Sequence, residues 1–181
     1  LAQAQDEELH KQHYLEAYQE LQAMLNEEKP LSFKRAVYLT ENAYLENSLD
    51  DAQFDEAIQY YVRLALSLEE TGGLLYHEDD KDDVLKAASI FRALKDTVRI
   101  GDPADPKSYI KYPLTYDTQD FWGRQDWTKM FVSKLLSTGS GNCHSLPALY
   151  KILADELDVK ELDYLIGKGY RLSKDGTQLI K

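Results

Sequence analysis

Most of the chemistry legible in this chain gathers around its one cysteine. Cys143 follows Gly139, Ser140, Gly141 and Asn142 and precedes His144, Ser145, Leu146 and Pro147. Glycines let a backbone approach another group closely, asparagine is a helix-capping residue type, and a proline near a helix start loses little by lacking an N–H. The spacing predicts a helix from about His144 to Leu157, buried through Leu146, Leu149, Leu153 and Leu157, with Cys143 in its first turn. There, unpaired amides and the positive end of the helix dipole favour thiolate over thiol. That is the environment of a nucleophile, and Gly141, Asn142 and His144 become the loop residues placed to meet a substrate carbonyl or its oxyanion. A small buried hydrophobe at a loop–helix junction would have the same sequence, and spacing alone leaves both readings open.

A nucleophilic thiol needs a base. His144 adjoins the cysteine, but neighbouring helical residues point about 100° apart, so a polar contact at the helix start or plain exposure is expected of it. His10 and His13 fall on the first helical pattern, His77 lies in an acidic stretch, and no histidine follows His144. The acidic stretch itself, His77, Glu78, Asp79, Asp80, Asp82 and Asp83, lacks zinc-type spacing and the glycine and terminal glutamate of a calcium loop. It reads as a solvated helix start, and Asp102 and Asp105 as turn residues; no metal and no cofactor is expected. Trp122 and Trp127, with Phe121, Tyr112 and Tyr116, either line a peptide- or sugar-binding groove beside the cysteine or belong to the core.

The elements that must position these groups are mainly helical. His13, Tyr14, Ala17, Tyr18, Leu21, Met24 and Leu25 recur at helical spacing between Asp6 and Glu28, with Pro30 marking the end. Ser32 is placed to cap a second helix, and Asp50 or Asp51 to start a third that Gly72-Gly73 stops. A fourth pattern runs through Val84, Leu85, Ala88, Phe91, Leu94 and Val98. Composition changes at Gly101: a turn-rich stretch leads to an extended aromatic segment around Tyr109 to Tyr116, a helix from Trp127 to Leu136, and a glycine-containing loop from Thr138 to Asn142. Tyr170, Leu172, the Lys174-Asp175-Gly176 turn, Gln178 and Ile180 suit a short β-hairpin. The expected organisation is a helical region over 1–100 followed by a second module over 101–181.

A net charge of −11 repels a phosphate backbone, so nucleic acid is excluded as a partner, and an anionic membrane surface is disfavoured. No apolar run approaches the roughly 18 residues of a spanning helix. Ala2-Gln3-Ala4 has the small-x-small pattern read by signal peptidase, so residues 1–4 read as the tail of a signal peptide on an exported, periplasmic or secreted protein; the first turn of a helix is the alternative. A lone thiol in an exported protein marks a reactive group. Composition leaves the oligomeric state open.

A longer run of residues carries a resemblance. Asp120-Phe121-Trp122-Gly123, Asp126-Trp127, Met130-Phe131-Val132 and Lys134-Leu135-Leu136 precede Gly141-Asn142-Cys143-His144-Ser145-Leu146-Pro147. This resembles transglutaminase-like, papain-related proteins of the Bacteroidetes type, and Ser32 to Val37 and Glu41 to Leu45 are similar to that family's N-terminal helices. The resemblance implies a mainly α chain, in which a helical N-terminal layer precedes the helical part of a transglutaminase-like α+β module with a small hairpin. It implies a hydrolase or acyltransferase acting on a protein or peptide, with Cys143 as nucleophile and a base and its partner on following strands. The chain departs from the pattern in lacking that later histidine and in offering too few strand-like segments for a full sheet, so an incomplete module is expected. A non-catalytic binding module on the same core is the alternative.

Overall fold

In a computed structural model, the structure is described for residues 2–71, 81–120, 122–159, 171–172 and 179–180. It is mainly α, as expected. Helix α1 (Ala2–Leu25) stops short of Pro30, its chain leaving through Glu27 in left-handed backbone at φ 62°. Helix α2 (Phe33–Tyr44) starts where Ser32 predicts, because the Ser32 hydroxyl accepts the Arg35 N–H at 3.1 Å. Asp50 does the same for α3 (Asp51–Thr71), accepting the Gln53 N–H at 3.0 Å. Arg35 fastens the three together, donating to Glu20 on α1 at 2.7 Å and to Asp51 on α3 at 2.9 Å. Gly72-Gly73 and His77 to Asp80 lie outside the described residues.

Helix α4 (Lys81–Lys95) has Asp82 and Asp83 in its first turn and Arg92 and Lys95 in its last, which suits the macrodipole at both ends. It ends before Val98, against the sequence expectation. Val98 instead opens strand β1 (Val98–Ile100), antiparallel to β2 (Tyr109–Lys111), with Val98 opposite Lys111. The cause lies in the carbonyls at the end of α4: those of Ala93, Leu94 and Asp96 accept the Lys111 ammonium, and that of Leu94 also accepts the Leu114 N–H at 2.8 Å. With partners supplied from β2 and the segment after it, the helix need not continue.

The helix expected over Trp127 to Leu136 is two elements. A 3-10 turn (Trp127–Met130), capped by Asp126, breaks at Phe131 in extended backbone before α5 (Val132–Thr138). The break has a partner on α2: the Glu41 carboxylate accepts the Val132 and Ser133 N–H groups at 2.6 and 2.9 Å and so caps α5 from another helix. After α5, strand β4 (Ser140–Gly141) runs parallel to β3 (Thr115–Tyr116), and α6 (Ser145–Glu156) follows. The final pair, β5 (Arg171–Leu172) and β6 (Leu179–Ile180), is antiparallel as the hairpin expectation requires; its turn at 174–176 lies outside the described residues. The described strands form three separate two-stranded pairs.

The change of composition near residue 100 is not a gap in the core. Ile58 and Ala65 on α3, and Ile90 and Ala93 on α4, share one cluster with Leu135 on α5 and with Leu149, Ile152 and Leu153 on α6. These side chains are fully excluded from solvent. Burial of a large aliphatic side chain contributes about 1.5–3 kcal/mol, so α6, which carries Cys143 at its entrance, is firmly anchored through Leu149, Ile152 and Leu153.

Candidate functional site

The cysteine loop is built from the end of α5 onward. Gly139 terminates that helix in the left-handed region, at φ 68°. Ser140 and Gly141 then pair with Thr115 and Tyr116. Lys134 clamps this join by donating to the Ser140 carbonyl and to the Asp117 carboxylate, both at 2.8 Å, while Lys129 approaches the same carboxylate at 3.2 Å. Those two ammonium groups and the Gln119 N–H lower the Asp117 carboxyl to about 2. Asp117 also donates its own N–H to the Gly141 carbonyl at 2.6 Å. No side chain fits at Gly141: a Cβ there would lie 2.7 Å from the Ser145 hydroxyl oxygen and 2.9 Å from a Leu135 methyl.

Asn142 caps the next helix, as its type predicts. Regular helix begins at Ser145, but its bonding begins three residues earlier, where the Asn142 carbonyl accepts the Leu146 N–H at 3.1 Å. Asn142 Oδ1 accepts the N–H groups of His144 and Ser145 at 3.0 and 3.1 Å. In return the Ser145 hydroxyl accepts the Asn142 N–H at 3.0 Å, a reciprocal capping box with serine in the place usually held by a glutamate. Asn142 and Ser145 are fully buried, whereas Cys143 and His144 between them are exposed. The nucleophile candidate therefore stands in the first turn after the cap on a buried, hydrogen-bonded frame. The Asn142 N–H is engaged by the Ser145 hydroxyl.

Tyr116 reaches the cysteine from β3. Its phenol lies close enough to Cys143 for the thiol to act on it, and its own pKa is pushed up, first by desolvation and then by the thiol. His144 turns the other way, with Nδ1 at 3.2 Å from the Met130 carbonyl. A carbonyl only accepts, so Nδ1 carries the proton in this contact and Nε2 is the basic nitrogen of the neutral ring. Met130 also receives the Asn142 side-chain amide at its sulfur, 3.0 Å away.

Cys143 and His144 share the wall of a groove of about 620 Å³. Phe33, Ala36 and Val37 of α2 form one side, Met130 and Phe131 another, and Pro147 and Ala148 of α6 a third. Trp127 belongs to the wall and is half exposed, in keeping with the groove reading. Trp122 is exposed and does not line this groove; Phe121 lies outside the described residues. Tyr112 and Tyr116 are exposed too, so the core alternative does not hold for these four aromatics. Of the other histidines, His10 faces Glu46 at 3.7 Å, neither it nor His13 joins the groove, and His77 lies outside the described residues.

Sequence reasoning missed Glu41, Met130 and the role of Tyr116. Glu41 is buried in the same wall, and burial pushes its carboxyl above the ordinary range despite the Ser133 and Val132 donors and the nearby His144. A signal for it existed: Glu41 lies four residues after Val37 on the apolar face of α2, an acid where a hydrophobe would be expected. Among the described residues no three His, Cys, Asp or Glu side chains gather as a metal site would require, and no helix is long and apolar enough to cross a membrane. Comparisons with known protein families, with curated proteins and with solved structures found no match.

Proposed function

We propose that Cys143 is the nucleophile of a thiol-dependent acyl transfer or amide hydrolysis, on a transglutaminase-like core. The observation that carries this reading is the placement of an exposed thiol, on a fully buried Asn142–Ser145 frame, in the wall of a substrate-sized groove. The sulfur attacks the carbonyl carbon, the S–C bond forms as the C–N bond breaks, and the thiol proton leaves with the amine. Water or a second amine then releases the acyl group and returns a proton to the sulfur. The Cys143 N–H, at the start of the capped helix, is the donor this reading assigns to the oxyanion. The test is intact-mass analysis of the full chain with small amide and ester donors. An acyl adduct on Cys143 that turns over, and is absent from Cys143→Ser, is the expected result; a folded protein that forms none with any donor removes the reading.

A second reading, a non-catalytic peptide-binding module, is favoured by one observation: His144, the histidine of the groove wall, bonds to Met130 rather than to the thiol. It expects Cys143→Ala to leave folding and partner binding unchanged and Trp127→Ala to weaken binding. Loss of a measurable amidase or transferase activity in Cys143→Ala would reject it.

A further inference from the structure

We infer that the acyl group accepted at this site is an uncharged aliphatic chain, bound in the groove with its carbonyl at Cys143. This rests on Cys143 as the nucleophile and names the class of acyl donor it takes. The argument comes from what the polar groups of the wall already do. Thr40 donates its hydroxyl to the Ala36 carbonyl of its own helix at 2.8 Å. Glu41 has both carboxylate oxygens on the α5 amides. Lys151 is ion-paired with Asp155, and His144 directs Nδ1 to Met130. Most of the remaining surface is apolar, with Phe33, Ala36 and Val37 of α2, Phe131, and Pro147 and Ala148 of α6, beside the indole of Trp127.

A charged or amide side chain entering such a groove would lose its water against mostly apolar walls that offer it few partners, at a cost that an alkyl chain does not meet. The electrostatics point the same way. The Lys151 charge is balanced by Asp155, and the Glu41 carboxylate is occupied by the Val132 and Ser133 N–H groups, so neither a cationic nor an anionic chain finds a ready complement. A volume of about 620 Å³ lies within the usual range for a small-molecule site and far exceeds what an acetyl group fills. The reaction itself is unchanged: the sulfur displaces the leaving group, whose proton comes from the thiol, and hydrolysis restores the free thiol.

The test uses the full chain and p-nitrophenyl esters of acetate, butyrate, hexanoate and octanoate, with S-acylation of Cys143 followed by intact mass. Each rate is divided by that of a short cysteine peptide, which removes the intrinsic reactivity of the ester. The ratio is expected to rise by up to about fourfold per added methylene until the groove is full. Thr40→Trp, at an exposed wall position, shortens the rise, and Phe33→Asp lowers the octanoate ratio. A flat series in a protein whose Cys143 is still acylated by acetate overturns the aliphatic preference and leaves the nucleophile standing. So does a rise that neither variant alters, or an ester of a charged acyl group that reacts as fast as octanoate. Absence of acylation by every donor removes both proposals together.

Discussion

Gly141 has no room for a methyl group. A Cβ would enter contact distance of the Ser145 hydroxyl at 2.7 Å, and that hydroxyl is the acceptor that holds the Asn142 N–H. Gly141→Ala is therefore expected to displace Ser145 or Leu135, cost about 1–3 kcal/mol of stability in urea unfolding, and loosen the cap beneath the cysteine. The same variant should change the alkylation rate of Cys143 in the folded protein. A Gly141→Ala chain as stable as the parent, with an unchanged thiol, would show that the contact relaxes freely. Asn142 was legible as a cap from its type and position, since the preference reflects a local side-chain-to-backbone bond. The Tyr116 contact was not: it joins residues 27 apart in sequence through a parallel pairing of β3 with β4, and no local pattern encodes that register.

At the scale of elements, a buried acid on α2 decides where α5 begins. The apolar spacing from Trp127 to Leu136 reads as one helix, yet Glu41 takes the Val132 and Ser133 N–H groups and leaves Phe131 extended. Such tertiary capping is invisible in a window of sequence around α5, which is why the helix was expected whole while α2, α3 and the helix after Cys143, set by local caps and apolar periodicity, were read nearly to the residue. Glu41→Ala is expected to cost about 1–3 kcal/mol, because it leaves the buried Val132 amide without an acceptor. Glu41→Gln, which keeps one oxygen, separates the charge from the cap. Burial raises the folded-state pKa of Glu41, so as pH rises the unfolded chain, near about 4.3, releases this proton before the native one does. The stability contributed by the group is fully present below the unfolded value and is lost as pH rises through the folded value. Urea unfolding from about pH 4 to about pH 7 should accordingly show the parent losing ground to Glu41→Gln; an unchanged or opposite trend would mean that the α5 amides outweigh burial.

The molecule as a whole is joined across the change of composition near residue 100, which sequence reading took as a boundary because turn residues and prolines cluster there. The core on both sides is continuous, and Lys111 is a second link of a different kind. From β2 its ammonium reaches the Ala93 carbonyl and those of Leu94 and Asp96, at 3.3 and 3.4 Å, while lying 5.8 Å from the centre of the Tyr61 ring on α3. Cations favour the carbonyl end of a helix, yet this one is almost wholly buried, and burial, against some help from Asp96, pushes it down to about 8. The native protein thus releases the proton at lower pH than the unfolded chain, whose lysines titrate near about 10.4. Between those values the unfolded state binds more protons, so this group makes the fold more stable as pH rises from about 8 to about 10.4, by up to about 1.4 kcal/mol per unit and on the order of 3 kcal/mol in all. Other groups titrate in the same range, so the quantity to measure is the difference between the parent and Lys111→Met, by urea unfolding at several pH values across the window. The difference is expected to shift toward the parent with each step. A difference that stays level would show that the Ala93, Leu94 and Asp96 carbonyls hold the ammonium as firmly as water does, and that the joint between the helical layer and β2 is a fully charged cap.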